Sequence, residues 1–392
     1  METSRRAFVA TAASAARVLG ANDRVRLGVI GTGGRGRHLI RMAKHAGGCE
    51  IAAVCDAWDV RAQEGAAEVA KQFDGAKAAQ YADYRKLVER KDLDGVIVAT
   101  LDHWHSRMTV DALRAGKDVF VEKPMTSLPE QGHDIVRAVR ETGKLVQVGV
   151  QQRSIAHFIE AKQRYFDTGR IGRVHLVRTY WNANTGYLTP VPPGMETKPA
   201  GLDWDAVLGW LPKRPWNPKM YFNRFAYWEF STGGQTGGLF VHLVDVVHWY
   251  LGLVKPLSAV ALGGIYQYDD GRDTPDNINF ILDYPQRVNV TFEATISDLN
   301  PRESVDIVFL GTEGRLHIFR SGYRFLPKEG EPEAQKGGPE PAHMANFLDC
   351  IRTRKQPNAN AVDGHYSAMA CHIGNMAYRE GRRVEWEARW DV

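Results

Sequence analysis

Gly28-Val29-Ile30-Gly31-Thr32-Gly33-Gly34-Arg35-Gly36 is the most informative stretch of this 392-residue chain. It carries the spacing G-x-G-x-x-G at positions 31, 33 and 36. An apolar run over 24–30 precedes the glycines, and a helical pattern over 35–46 follows them. This order predicts a buried strand, a tight glycine turn and a helix that begins at the turn.

An acidic residue follows where a nucleotide-binding turn requires one, because Asp56 ends a second apolar run over 49–55. In a dinucleotide site Gly31 permits the tight turn, Gly33 lets the backbone approach the pyrophosphate, and Gly36 allows close helix–strand packing. Asp56 would accept ribose hydroxyls and repel a 2′-phosphate, which favours NAD, while the nearby Arg61 keeps NADP open. The predicted cofactor contacts also include Thr32, Gly34 and Arg35. The alternative is a glycine turn with a purely structural role.

The first half of the chain alternates between strand and helix patterns. Predicted strands lie at 24–30, 49–55, 95–100, 118–121 and 145–150, and predicted helices at 35–46, 60–73, 108–115 and 128–142. Near-continuous apolar runs such as GVIVAT at 95–100 are typical of a buried parallel sheet. The pattern predicts an α/β Rossmann dinucleotide-binding domain over 23–152.

The second half has a different pattern. Predicted strands lie at 174–180, 258–268, 277–284, 288–294, 304–311 and 315–319, and predicted helices at 156–168, 238–251, 343–354 and 364–380. Residues 285–287 predict a hairpin turn. The long irregular segment 185–220 is rich in Pro, Gly and Trp, which is typical of a functional loop, and 327–340 is a predicted polar surface loop. An α+β domain with an antiparallel sheet is therefore predicted over 153–392, closing helices included.

Composition excludes several function classes. Fifty Lys and Arg against 46 Asp and Glu leave a formal net charge of +4, which disfavours dedicated nucleic-acid binding. No apolar run approaches the roughly 20 residues that span a bilayer, so no membrane partner is expected. Four widely separated cysteines without a C-x-x-C pattern predict no disulfide and no zinc ribbon.

The N-terminus is treated apart from the fold. Residues 4–9 read SRRAFV and lead into an Ala-rich stretch, which resembles a twin-arginine export signal. Residues 1–22 are thus predicted to direct the protein to the periplasm or the exterior. Arg17 interrupts the apolar stretch and no clean cleavage site follows, so a basic, helix-prone N-terminal arm on a cytoplasmic protein is the alternative.

Two polar motifs follow predicted strands. Glu122-Lys123-Pro124 comes directly after the strand at 118–121, where a lysine can place its ammonium beside a substrate oxygen. Asp102-His103-Trp104-His105 follows the strand at 95–100 as a predicted loop near the nicotinamide. A metal site formed by these two histidines is disfavoured, because no further cluster of metal ligands accompanies them in the sequence. Predicted cofactor contacts at these strand ends are Thr100, His105, Glu122 and Lys123.

A third motif lies on the helix predicted at 238–251. Helical spacing puts His242, Asp245 and Trp249 on roughly one face. His242 could take a hydroxyl proton as a general base, while Asp245 could orient its ring or hold helix packing. A structural histidine is the alternative.

Together these motifs resemble the glucose–fructose oxidoreductase, inositol dehydrogenase and rhizopine-catabolism (Gfo/Idh/MocA) family. The carriers are GVIGTGGRG (28–36), VCD (54–56), ATLDHWH (99–105), AGKDVFVEKP (115–124), VGVQQRS (148–154) and HLVDVVHWYLG (242–252). The resemblance implies a Rossmann domain followed by an α+β domain with an open, mainly antiparallel sheet. It also implies a nicotinamide cofactor, sugar or cyclitol substrates, and a homo-oligomer (dimer or tetramer) built through the open sheet.

The resemblance also assigns roles. Lys123 matches the active-site lysine of the family, and His242 matches its usual catalytic histidine. Many members carry an acid four residues before that histidine, whereas this chain has Gly238. Either His242 works with Lys123 alone, or another group supplies the missing polar function. The substrate-binding candidates are His103, His105, Gln151, Arg153, Tyr180, Asn182 and Asp245.

The leading expectation is an NAD(P)-dependent oxidoreductase acting on a hydroxyl of a sugar, cyclitol or glycoside. If the protein is exported, no soluble NAD pool recycles its cofactor. A redox-neutral enzyme with tightly bound NAD is then the alternative, cleaving glycosides through a 3-keto intermediate or exchanging hydride between sugars. A third expectation, from another class, is a non-catalytic nucleotide-binding sensor on the same fold.

Overall fold

The computed structural model describes residues 24–186, 188–299, 305–337 and 342–392. The predicted export signal or arm at 1–22 lies outside these residues. The first sheet contains β1 (Val25–Ile30), β2 (Cys49–Cys55), β3 (Ala79–Tyr81), β4 (Gly95–Val98), β5 (Asp118–Val121) and β6 (Val146–Val148). Its order is β3-β2-β1-β4-β5-β6 and every pair is parallel. This is the predicted doubly wound Rossmann sheet.

Helices cover both faces of this sheet. They are α1 (Gly34–Ala46), α2 (Asp59–Gln72), α3 (Tyr84–Val88), α4 (Asp102–Arg114) and α5 (Gln131–Thr142). One face packs under α1 and α2, and the other under α3, α4 and α5. Because strand order reverses beside β1, the carboxyl ends of β1, β2 and β4 open onto a crevice, which is where such sheets bind ligands.

The second sheet is larger and mainly antiparallel. Within the described ranges its strands are β7 (Val174–Asn182), β8 (Ser258–Gly264), β9 (Asn277–Tyr284), β10 (Val288–Thr295), β11 (Val305–Gly311), β12 (Gly314–Phe319), β13 (Gly322–Pro327), β14 (Glu333–Lys336) and β15 (Val384–Glu385). Their order is β14-β13-β12-β11-β7-β10-β9-β8-β15, and only β7 and β10 pair in parallel. The predicted α+β domain with an open sheet is confirmed.

The second half of the chain also contributes helices. They are α6 (Ala156–Ala161), α7 (Trp204–Leu208), α8 (Pro218–Phe222), α9 (Trp228–Ser231), α10 (Val241–Leu251), α11 (Ala342–Thr353) and α12 (Ala361–Glu380). Wider π-helical turns continue α6 over Lys162–Phe166 and precede α10 over Thr236–Phe240. The buried side chains of α10 and α12 share one core with β9, β10 and β11.

Helix α11 packs elsewhere. Its Met344, Phe347 and Leu348 join the apolar cluster beneath α1. The last helices of the chain thereby tie the two halves together. The division of the chain at 152/153 stays a prediction.

Two sequence-based expectations about loops are wrong. Residues 102–105 form the first turn of α4 instead of a loop. There the Asp102 carboxylate lies at a helix N-terminus, where a negative charge is favourable. The predicted loop at 327–340 contains β14, which pairs with β13 at the edge of the sheet. Polar residues form this strand because Glu333 accepts from Tyr165 at 2.9 Å and pairs with Arg170.

All four cysteines are buried free thiols. No described helix is long and apolar enough to cross a membrane.

Candidate active site

The glycine turn has the shape that its sequence predicts. Gly31 has a φ of 86°, which only glycine adopts easily. A Cβ on Gly36 would lie 1.9 Å from the carbonyl oxygen of Gly31. Gly33 is the N-cap of α1, and a Cβ placed there meets nothing within 4 Å. The backbone therefore leaves an open cradle at a helix N-terminus, which suits an anionic pyrophosphate.

Asp56 lies at the end of β2 and is held by main-chain donors. The N–H of Thr32 donates to Oδ2 at 2.9 Å, and the N–H of Trp58 donates to Oδ1 at 3.1 Å. Burial raises the pKa of Asp56, and these hydrogen bonds together with Arg61 partly offset the rise. Arg61 itself pairs with Glu64 at 2.7 Å. The carboxylate is thus fixed at the wall of the crevice, in the place where a ribose would bind.

The crevice is a groove of about 800 Å³. Most of the predicted cofactor contacts line it, namely Gly31, Gly33, Gly34, Arg35, Asp56, Thr100, His105, Glu122 and Lys123. Thr32 and Gly36 lie behind this lining, where Thr32 donates to the Arg61 carbonyl at 2.7 Å. Residues 203–224 of the second half form the opposite wall. The cradle, the acid and the groove fit a nicotinamide dinucleotide.

Glu122, Arg35 and His105 fix the strand end that carries Lys123. The Arg35 Nε atom pairs with buried Glu122 at 2.7 Å. Burial opposes ionisation of Glu122, but Arg35 and Lys123 outweigh it, so its pKa lies below the ordinary value. The ring nitrogens of His105 lie 2.8 Å from the Pro124 carbonyl and 3.2 Å from the Thr100 carbonyl. His105 therefore joins the ends of β4 and β5.

Lys123 lines the groove, and His242 lies behind that lining on the helix that Lys123 contacts. Lys123 donates from Nζ to the carbonyl oxygen of Gly238 at 2.5 Å, one helical turn before His242. Burial, together with Arg224 and Arg35, lowers the pKa of Lys123 to about 8. Burial and the Lys123 charge hold the pKa of His242 well below its ordinary value. The lowered pKa brings Lys123 close to the range for acid–base work near neutrality, and His242 is a neutral imidazole.

The imidazole of His242 is packed on one side and unpartnered on another. Trp181 stacks on it with centroids 6.2 Å apart, and Arg320 lies 5.3 Å from the Trp181 ring centroid. Nδ1 of His242 is buried and has no hydrogen-bond partner in the described part of the chain. This nitrogen is therefore available for a hydrogen bond to a bound molecule.

Four predicted substrate contacts lie outside the groove. Arg153 pairs with Asp245 at 2.8 Å, and Asp245 also accepts from Ser367 at 3.0 Å, so these groups link α10 to α12 inside the core. Register places Trp181 on the face of Ala294, whereas Tyr180 and Asn182 occupy the open face opposite Glu293 and Thr295. Alternation along β7 therefore carries these two side chains away from His242.

The remaining two candidates border the groove without lining it. His103 turns to the Val207 carbonyl at 2.9 Å and stacks on Phe230. Gln151 lies beside Arg35 in a second cavity of about 20 Å³. Sequence reasoning quoted Asp102 within a motif without giving it a role, and it missed Tyr221 and Arg224. Arg224 pairs with buried Asp102 at 3.2 Å. No motif marks Tyr221 or Arg224, which lie in the irregular segment.

The fold and the site together define a two-domain dehydrogenase architecture. The second, α+β domain faces the nucleotide groove of the Rossmann domain. Residues 25–150 match the family model described as "Oxidoreductase family, NAD-binding Rossmann fold". Residues 175–391 match the model of the same family's C-terminal alpha/beta domain. The chain belongs to the Gfo/Idh/MocA oxidoreductase family, and its first domain is an NAD-binding Rossmann domain.

Individual curated relatives match only part of the chain. The chain is 33% identical over 187 residues to inositol 2-dehydrogenase 2 of Saccharopolyspora erythraea, covering 47% of this chain and 53% of the relative. It is 34% identical over 125 residues to a glycosyl hydrolase family 109 protein of a Shewanella species, covering 31% and 27%. The chain thus spans about half the length, or less, of these curated relatives.

Solved structures share the whole fold. Aldose-aldose oxidoreductase from Caulobacter crescentus, complexed with glycerol, aligns with a TM-score of 0.73 at 19% identity. The alignment covers 93% of this chain and all of that one (100%). At this identity the likeness establishes the fold alone.

Proposed function

We propose that the protein is an NAD-dependent oxidoreductase that acts on a hydroxyl group of a sugar, cyclitol or glycoside. The observation that carries the proposal is that Lys123 lines the dinucleotide groove, donates to the main chain four residues before His242 and lowers the pKa of that histidine by its charge. The inositol 2-dehydrogenase relative supports this substrate class. Asp56 at the ribose position supports NAD over NADP.

Each residue has a role in the proposed reaction. A bound NAD would supply the acceptor for a hydride from the carbinol carbon. His242 takes the hydroxyl proton, because its imidazole is neutral and has a nitrogen that can accept one. Lys123 stabilises the developing alkoxide while it carries its positive charge. Arg35, held by Glu122, lies beside the glycine cradle and offers a cation to the pyrophosphate. The intact Lys123 and His242 pair disfavours a non-catalytic sensor.

A redox-neutral reaction with resident NAD is the second candidate. The specific observation in its favour is the wall formed by residues 203–224, which covers the groove opposite the Rossmann domain. The family 109 glycosyl hydrolase relative is consistent with this candidate. Glycoside cleavage through a 3-keto intermediate and sugar–sugar oxidoreduction both belong to this class.

One experiment separates these candidates. The protein is purified without added cofactor, and NAD is measured after denaturation. It is then incubated with free sugars, inositols and aryl glycosides, with and without external NAD. NADH accumulation that depends on added NAD supports the dehydrogenase, whereas aryl release or sugar exchange without added NAD supports the redox-neutral enzyme. Absence of NAD binding together with absence of turnover would overturn both.

Export through the twin-arginine pattern at 4–9 and a homo-oligomer built on the open face of the second sheet are also proposals. Light scattering on the purified protein tests the oligomer, and a monomer at micromolar concentration would contradict it. Fractionation of cells that express the full chain tests the export.

A further inference from the structure

The irregular segment between β7 and α10 contains a folded element that crosses the groove. Residues 201–224, called here the strap, include α7 and α8. The strap is not a loose loop. Leu202, Trp204, Val207 and Leu208 are buried in one apolar cluster, and this cluster includes Trp58 of the Rossmann domain. The strap therefore has a small core of its own, seated on the end of β2.

The strap is fastened to the Rossmann domain on the Asp56 side of the groove. The N–H of Asp59 donates to the Gly201 carbonyl at 3.2 Å, and the N–H of Asp203 donates to the Ala57 carbonyl at 2.9 Å. Between them Leu202 forms a bridge with Trp58. Gly201 has a φ of 73°, and a Cβ placed there would lie 2.2 Å from the Asp59 carboxylate. The positive φ favours glycine here, and a side chain at this position would also displace the Asp59 carboxylate.

The strap is fastened again on the far side of the groove, at the start of α4. The Val207 carbonyl accepts from the Trp104 indole N–H at 2.9 Å. The Trp210 indole N–H donates to the His103 carbonyl at 2.8 Å. The chain then returns, so that Tyr221 contacts Trp58 edge-on at 6.0 Å and hydrogen-bonds Arg61. The strap therefore crosses the groove and contacts the Rossmann domain on both sides of it.

We infer that the strap retains the dinucleotide by closing the groove over its adenosine half, so that NAD exchanges only when the fastenings open. Asp203, Ala206, Val207 and Tyr221 of the strap line the same cavity as Asp56 and the glycine turn. A nucleotide in that cavity is enclosed by the sheet ends on one side and by the strap on the other. Because the strap packs as a small folded unit, its opening breaks several contacts together.

This inference rests on the proposed function and narrows it. A cofactor that stays bound must be restored at the site in every cycle. The hydride taken from one carbinol carbon would then return to a carbonyl carbon, either of the same sugar after an intervening step or of a second carbonyl compound. His242 would give back the proton that it accepted, so that protons and electrons balance without an external oxidant.

The test measures NAD exchange. Protein loaded with NADH is mixed with excess NAD, and NADH release is followed by its fluorescence. Gly201→Val is expected to open the fastening at Asp59 and to raise the release rate at least tenfold over the unchanged chain. Gly194→Val is the matched control, because Gly194 has a φ of 81° in the same irregular segment but meets nothing within 4 Å. The control is expected to release NADH at the rate of the unchanged chain.

A second variant guards against misfolding of the first. Trp210→Ala removes a half-exposed side chain that does not line the groove, and with it the hydrogen bond to His103. It is expected to speed release as well, with an unchanged circular dichroism spectrum. If NADH binds but leaves the unchanged chain and the folded Gly201→Val and Trp210→Ala variants at equal rates, the proposed role of the strap in retaining the cofactor is overturned. Failure of the unchanged chain to bind NADH at all would instead overturn the proposed function.

Discussion

The ammonium of Lys123 donates to the backbone carbonyl oxygen of Gly238 at a distance of 2.5 Å. The family resemblance leads us to expect an acidic side chain at the position of Gly238, four residues before His242. Here a main-chain carbonyl is the acceptor, and a side chain is excluded because a Cβ on Gly238 would lie 2.5 Å from the Phe225 ring. Arg224 covers the same ring at 4.4 Å and pairs with Asp102. Phe225 thus occupies the space of the missing acid.

This contact predicts that substitutions at Gly238 and Phe225 have coupled effects on the free energy of unfolding. Gly238→Asp alone should lower the free energy of unfolding by about 1–3 kcal/mol, the usual cost of overpacking. Phe225→Ala should make room, so the double variant should lose less than the sum of the single variants. Denaturant unfolding of the four proteins measures this coupling. Strict additivity would mean that the ring does not exclude the acid.

Lys123 predicts an alkaline limit of activity. Its pKa of about 8 means that the cation needed beside an alkoxide is lost as the pH rises through that value. The profile of kcat/KM against pH should therefore fall above about pH 8. Lys123→Arg should be slower and should lose this alkaline limb, because an arginine keeps its charge. An unchanged limb in the arginine variant would assign the titration to another group.

His242 predicts a loss of turnover without a loss of cofactor binding. His242→Asn should reduce kcat by roughly 10²–10⁴-fold, which is the range for a positioned general base. His248→Asn is the matched control, because His248 lies buried on the same helix and contacts the Tyr284 hydroxyl at 2.6 Å. The control should affect unfolding more than turnover. Near-normal kcat in His242→Asn would place the base elsewhere.

The glycine turn and the first sheet could be predicted because their signals are local. Gly31 and Gly36 are required by backbone sterics within one turn, and buried parallel strands are apolar along their whole length. Lys123 and His242 stand out for a related reason, since one follows a strand directly and the other lies on an apolar helix. These signals do not depend on which distant segment packs beside them.

The strap and the positions of several polar side chains could not be predicted, because they depend on packing between distant segments. Nothing near Gly201 indicates that its carbonyl meets Asp59, because the partner lies 142 positions earlier in the sequence. The alternation along β7 shows that Tyr180 and Trp181 point oppositely, but not which of them faces α10. The sequence suggests a site role for His103, but in the structure its Nε2 atom contacts the Val207 carbonyl. Such contacts are properties of the assembled fold.

Asp56 predicts cofactor choice. Asp56→Asn keeps an acceptor for the Thr32 N–H and removes the charge that repels a 2′-phosphate. Because a hydrogen bond to a charged group contributes about 1.5–3 kcal/mol, NAD affinity should fall roughly 10–100-fold while NADP affinity rises. Isothermal titration with both nucleotides measures the ratio. Equal affinity of the unchanged protein for NAD and NADP would refute the assignment.

His343 predicts acid sensitivity at the junction of α11 and the first sheet. Its ring contacts the Val148 carbonyl and the Ser154 hydroxyl, both at 2.8 Å, and burial lowers its pKa to about 4. The folded state therefore favours the neutral ring. That stabilisation is complete above the ordinary value of about 6.5 and is lost as the pH falls towards 4, by up to about 3 kcal/mol.

His343→Gln should flatten this part of the profile of unfolding free energy against pH, whereas His45→Gln, at an exposed position on α1, should leave it unchanged. Loss of the contacts at His343 should also loosen α11 first, since this ring joins α11 to β6. Hydrogen exchange in α11 should therefore accelerate between pH 6 and 4 before the second sheet responds. Uniform acceleration across both domains would show that acid acts through other groups.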